Sequence, residues 1–219
     1  PGDGGDIRFI AQGQDLHHEI EQWDPVSQQA AIWVRLDTLR PDTLTTIDLV
    51  LGSAPPDGIR SSQSVFDTAR GFAGVWHLSE SGTTVYRDAT GSGRDGINSV
   101  SDGDKSGIIG AGQRFSGKDH IEVTPPFIPT GPFTVEAWFW VDTLLGTVTK
   151  IAGTFVDSTG YSKGWQMKLR KFDLNFDAGD GSLRKTAAVW QVVDPKKWYH
   201  YAAVYSPGTG TVSLFQRRD

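Results

Sequence analysis

Cysteine is absent from all 219 residues. That excludes a zinc–thiolate site, a thiol nucleophile and a disulfide framework. It suits an exported protein with no stray thiol and suits a cytoplasmic one equally well, so composition leaves the compartment open. No apolar run approaches the ~18 residues needed to span a bilayer, and no leader pattern is visible. The chain has no basic block: 21 Lys and Arg stand against 26 Asp and Glu, a net charge of −5. Nucleic-acid and anionic-membrane binding need clustered cations, so neither is expected. A helical period is lacking as well; no helix longer than two turns is expected, and no repeat or low-complexity tract occurs.

What is present is glycine, at 26 residues, and aromatics, at 11% with eight tryptophans. Short strands between Gly-, Pro- and Asp-rich turns predict an all-β protein of sandwich or jelly-roll type. Ile7–Ile10, His17–Trp23, Ala30–Leu36 and Thr45–Leu51 read as four strands. The second of these runs carries Glu19 and Glu21, and Ala31–Val34 is apolar on both faces, as in a central strand. Residues 52–64 hold two prolines and many small polar residues and read as a linker between residues 1–51 and a longer domain, 65–219. That domain opens on a short strand, Gly74–Leu78, and a polar stretch, 79–107. Strands are then expected at Gly112–Phe115, His120–Val123, Phe133–Val141, Lys150–Phe155, Trp165–Phe176 (one long or two short), Ala187–Val193, Trp198–Tyr205 and Thr211–Phe215.

Phe133–Val141 organises the longer domain. Side chains alternate along a strand, so Phe133, Val135, Ala137, Phe139 and Val141 form a core face. Thr134, Glu136, Trp138 and Trp140 form the other, which must be covered by a sheet, a domain or a ligand.

Three segments together resemble the bacterial laminin-G-like domain of the concanavalin A-like lectin/glucanase superfamily: Val75-Trp76-His77-Leu78-Ser79-Glu80 with Asp88-Ala89-Thr90-Gly91 and Asp95-Gly96; Gly131–Trp138; and Trp198–Tyr205. Gly5-Asp6-Ile7-Arg8-Phe9, His18–Asp24 and Ile32-Trp33-Val34 resemble an uncharacterised bacterial domain. It often precedes a laminin-G-like one in exported proteins and also occurs in long members of the MotA/TolQ/ExbB proton-channel family. The resemblance implies an all-β concanavalin A-like jelly roll carrying a small N-terminal β domain, outside the cytoplasm: periplasmic, cell-surface or secreted. The start reads as an internal cut and the closing strands of the jelly roll as missing. Open sheet edges are then expected to favour association.

No catalytic signature accompanies these segments, so a binding module rather than an enzyme is expected. Glu19, Glu21 and Asp24 form Glu-x-Glu-x-x-Asp, in which the residues two apart share a strand face at a spacing near that of glycosidase carboxylates, but the order and the domain are wrong; surface or turn carboxylates are the expected reading. Glu136 has no carboxylate two or four positions away. The five histidines show no pairing suited to zinc, and Gly91-Ser92-Gly93 lacks the Lys-Ser/Thr of a phosphate loop. Calcium is the one metal expected, if any, because Asp-rich loops supply its oxygens; Asp88 and Asp95 are the first candidates, with Asp102, Asp104, Asp177 and Asp180 behind them. For the ligand, exposed aromatics offer stacking surfaces to sugar rings. Trp138, Trp140 and Glu136 are the contact candidates, with Trp165 and Trp190, and Tyr161 and Tyr199 within reach; packing is the competing role for each tryptophan. The expected ligand is carbohydrate or a surface protein. A structural module in a larger assembly, such as one with a proton-channel protein, is the alternative, and a glucanase-type hydrolase the third reading.

Overall fold

A computed structural model describes residues 2–98, 102–116, 119–143, 147–155, 163–190, 193–209 and 211–218. The turn at 157–160 and Tyr161 lie outside them. The chain is all-β, as its alternating apolar pattern predicts, and divides into two compact units, Pro1–Pro125 and Pro126–Asp219.

In the first unit β1 (Ile7–Ala11), β2 (Gln14–Asp15), β3 (His18–Asp24), β4 (Gln29–Val34) and β5 (Asp48–Leu51) occupy the four runs read as strands, with β2 as an addition. β1 pairs with both β2 and β5, and β3 with β4, all antiparallel. Among the described strands β4 thus has one partner and is not the central strand its apolar run suggested. Trp33 instead packs sideways against Val65, Phe66 and Ala89, the small core of this unit. Residues 52–64, read as a linker, are tied down: the Ser53 N–H donates to Asp6, the His18 N–H to Ile59 and the Ser61 N–H to His18, at 3.0–3.2 Å. The stretch ends in a single helical turn, α1 (Ser62–Val65).

Gly74–Leu78 forms no strand. Its backbone finds partners in the 88–95 loop, where the Val75 N–H donates to the Asp88 carboxylate at 3.1 Å and the Ala89 N–H to the Val75 carbonyl at 2.8 Å. The polar stretch holds short ladders that its composition hid: β6 (Val85–Tyr86), β7 (Gly96–Ile97) and β8 (Asp102–Ser106). β9 (Ala111–Arg114) and β10 (Glu122–Val123) follow, giving sheets β10-β7-β6 and β8-β9.

The second unit is a two-sheet sandwich. β11 (Phe133–Trp140), β16 (Trp198–Ser206) and β17 (Thr211–Arg218) form one sheet in the order β11-β16-β17. β12 (Val148–Gly153), β13 (Lys163–Arg170), β14 (Asp173–Asp180) and β15 (Arg184–Val189) form a consecutive meander. Between them lie Trp165, Met167, Leu169, Leu174, Phe176, Ala178, Tyr199, Tyr201 and Ala203, joined by Phe133, Val135 and Phe139. These are alternate residues of their strands, so the period of two delivers one apolar face per sheet. Fully burying each large side chain contributes about 1.5–3 kcal/mol.

Candidate functional site

The core face of β11 fixes its other face. With Phe133, Val135 and Phe139 in the core, Glu136, Trp138 and Trp140 point outward from the sandwich. The antiparallel register sets Trp138 against His200 and Trp140 against Trp198. Directly opposed residues share a face, and the rings meet: Trp138–His200 centroids are 5.0 Å apart and Trp140–Trp198 5.8 Å, the latter edge to face. The His200 Nε2 lies 3.4 Å from the Glu136 carboxylate. Trp140 keeps 44% of its surface exposed, and Phe215, opposite Ala202 on β17, keeps 58%. The outer face is therefore an aromatic strip with one His–Glu pair set into it.

Of the five expected contact residues, the fold brings together Glu136, Trp138 and Trp140. Trp165 is in the core instead: it is stacked on Phe176, and its indole N–H donates to the Phe127 carbonyl at 3.0 Å. Its position follows from parity, because Trp165, Met167 and Leu169 alternate with Gln166 and Lys168 along β13. Trp190 stands exposed just beyond β15, a strand of the other sheet. Tyr199, weighed as a neighbour, is fully buried and stacks on Phe139. Trp198 and His200 were missed, though their signal was available: pairing the two most apolar long strands would have set them opposite Trp140 and Trp138.

A second polar arrangement lies on the outer face of β13–β15. Asp177 is completely buried and accepts hydrogen bonds from Gln166 Nε2 (2.6 Å), Thr186 Oγ1 (2.6 Å), Lys168 Nζ and Arg184 Nη2. Burial alone would raise its pKa; the bonds from Lys168, Thr186, Gln166 and Arg184 outweigh it and hold the carboxyl below the ordinary range. Burial, and then the Asp177 charge, push the Tyr201 phenol upward. Asp177 lies within a strand, not in a metal-binding loop, and Asp180 spends its carboxylate on the backbone of Ser182 and Leu183.

The calcium candidates serve their own loop. Asp88 accepts from the Val75 and Thr90 N–H groups and from the Thr90 and Ser92 hydroxyls, at 2.6–3.1 Å. Asp95 accepts from the Asp88 N–H at 2.9 Å and from Arg87 at 2.5 Å. The donors to Asp88 overcome the upward push of burial and lower its pKa. Among the described residues no group of three His, Asp or Glu side chains is arranged to hold a metal; the side chains of Asp102 and Asp104 lie outside the description.

Glu19 and Glu21 are not the surface carboxylates expected of them. Both face His77, Glu19 at 3.0 Å from Nε2 and Glu21 at 3.5 Å from Nδ1, and Glu21 also accepts the Trp33 indole N–H at 2.5 Å. Burial raises the Glu21 pKa. Asp24 alone fits the turn reading, accepting from the Val26 and Ser27 N–H groups.

Two antiparallel sheets packed face to face are consistent with a concanavalin A-like β-sandwich. The family comparisons agree. Residues 3–79 match the model described as a domain of unknown function, DUF2341, and residues 115–216 match the one described as the concanavalin A-like lectin/glucanases superfamily. The chain thus carries the first domain followed by the second. No curated protein and no solved structure matches it.

Proposed function

We propose that the concanavalin A-like part is a non-catalytic, extracytoplasmic binding module for carbohydrate, with the outer face of β11 and β16 as its contact surface. The observation that carries the reading is the outward-facing strip of exposed Trp140 and half-buried Trp138 and Trp198 beside Glu136 and His200. Aromatic rings left in water on a rigid sheet offer large, preorganised area at little cost in side-chain entropy. Glu136 and His200 supply the directional polar groups that orient sugar hydroxyls. A non-catalytic role is supported by the charge on this face: the outward positions of β11 and β16 include one carboxylate, Glu136, whereas retaining and inverting glycosidases work with two.

The test is binding of the intact chain to an array of soluble glucans, xylans and peptidoglycan fragments, compared with Trp140→Ala. Binding that disappears in a folded variant supports the reading. Release of reducing ends from any glucan would replace it with a hydrolase.

A second reading, a protein-contact module of a larger periplasmic or surface assembly, is favoured by Leu49 and Leu51. They stand exposed on β5, whose only ladder partner among the described strands is β1. A stable partner recovered in the absence of any glycan binding would select it.

A further inference from the structure

Within the first unit, His77 has a carboxylate at each ring nitrogen, Glu19 at Nε2 (3.0 Å) and Glu21 at Nδ1 (3.5 Å). A neutral imidazole carries one N–H and one lone pair; only the imidazolium donates at both nitrogens. The ring is also held in place. Trp33 stacks on it at 5.7 Å and 25°, Phe66 meets it edge-on at 5.5 Å, and the Trp33 indole N–H keeps Glu21 from swinging away. The carboxylates come from β3 and the imidazole from residues 74–80, a segment with no place in any sheet.

We propose that Glu19, His77 and Glu21 form a proton-operated clasp that fastens residues 74–80 to β3 while the imidazole is charged and loosens them when it loses its proton. Deprotonation leaves a lone pair facing a carboxylate oxygen in a partly buried site, so one of the two attachments turns repulsive. The groups facing the ring are Glu19 and Glu21 from β3 and Glu80 from the segment itself, all acidic. The β4 and post-α1 neighbours, Trp33 and Phe66, carry no charge. Burial alone would lower the His77 pKa, but the bond to Glu19 and the charges of Glu21, Glu19 and Glu80 outweigh it and raise it. A raised folded-state pKa means a contribution fully present below the unfolded value of about 6.5 and lost as pH climbs through the folded one. The clasp therefore opens on the alkaline side.

Two measurements on the whole chain test this. In the first, the His77 ring nitrogens are titrated by NMR in the unmodified protein; a midpoint above about 6.5 is expected, and one at or below it overturns the proposal. In the second, chymotrypsin cleavage at Trp76 and Leu78 is followed by mass spectrometry between about pH 6 and about pH 9, normalised to an unstructured peptide. Cleavage rate follows the open population when reclosing is fast, so it should rise by about tenfold or more in the wild type and by less than about twofold in His77→Gln. An equal rise in both proteins overturns the clasp. Should His77→Gln fail to fold, Glu19→Gln serves in its place, with the histidine midpoint expected to move down.

Discussion

Trp138 and His200 are directly opposed across the β11–β16 ladder, their rings 5.0 Å apart, on the face turned away from the sandwich core. Since neither ring fills the core, loss of either should leave the fold standing. Trp138→Ala and Trp140→Ala should each weaken glycan binding by about tenfold or more, about 1.4 kcal/mol. The thermal midpoint should move by only a few degrees. Titration calorimetry and a melting curve on the same samples check both halves; unchanged affinity in both variants would remove the strip from the binding surface.

Asp177 gives the opposite expectation, a residue whose loss is felt in stability. Asp177→Ala leaves Lys168 without its buried counter-charge and Gln166 and Thr186 without an acceptor. Breaking one partner of such a network costs about 3 kcal/mol, which urea unfolding would read directly.

The same carboxyl predicts an acid limit. Its folded pKa lies below the ordinary value, so its stabilisation is complete above the unfolded pKa of about 3.9 and fades as pH falls through the lower folded one. Asp177→Asn should therefore flatten the loss of stability below about pH 4 relative to wild type. Parallel acid titrations followed by circular dichroism would show whether the two curves differ.

Asp88 organises the 88–95 loop through donors from Val75, Thr90 and Ser92. Asp88→Ala should cost about 2 kcal/mol, since several partly buried donors lose their acceptor together. The loss should be the same with and without about 1 mM calcium. A calcium-dependent rise in the wild-type melting temperature, absent in the variant, would instead mark the loop as an ion site.

Gly164 on β13 has φ +122, and a Cβ there would lie 2.1 Å from the Thr154 hydroxyl, which accepts the Trp165 N–H. Gly164→Ala should lower stability by more than about 1 kcal/mol, because the new side chain is both strained in its backbone and in the way of that bond. A melting curve indistinguishable from wild type would show that the 154–165 corner can give way.

Much of this architecture is legible in residue order. The alternation in Phe133–Val141 separates core from outer face without coordinates, and the same parity, applied to Trp165-Gln166-Met167-Lys168-Leu169, would have moved Trp165 from the ligand face to the core. Elsewhere a local pattern misleads. Ala31–Val34 reads as a central strand, yet β4 has a single partner among the described strands and packs Trp33 against Phe66 and His77. Gly74–Leu78 reads as a strand, yet its hydrogen bonds go to a loop and to the Gln113 side chain, and its histidine faces two glutamates.

The sequence by itself determines the all-β class, the strand faces, the absence of thiol chemistry and the tryptophans available on β11, because each depends on composition or on a period of two along one strand. Tertiary structure alone decides what stands opposite those residues. The pairing of Trp138 with His200, the four donors gathered on Asp177, and the meeting of Glu19 and Glu21 with His77 join positions between 7 and 62 residues apart. The physical reason is that register between strands and the closure of loops are set by the summed burial of both sheets, a quantity that no single stretch of the chain contains.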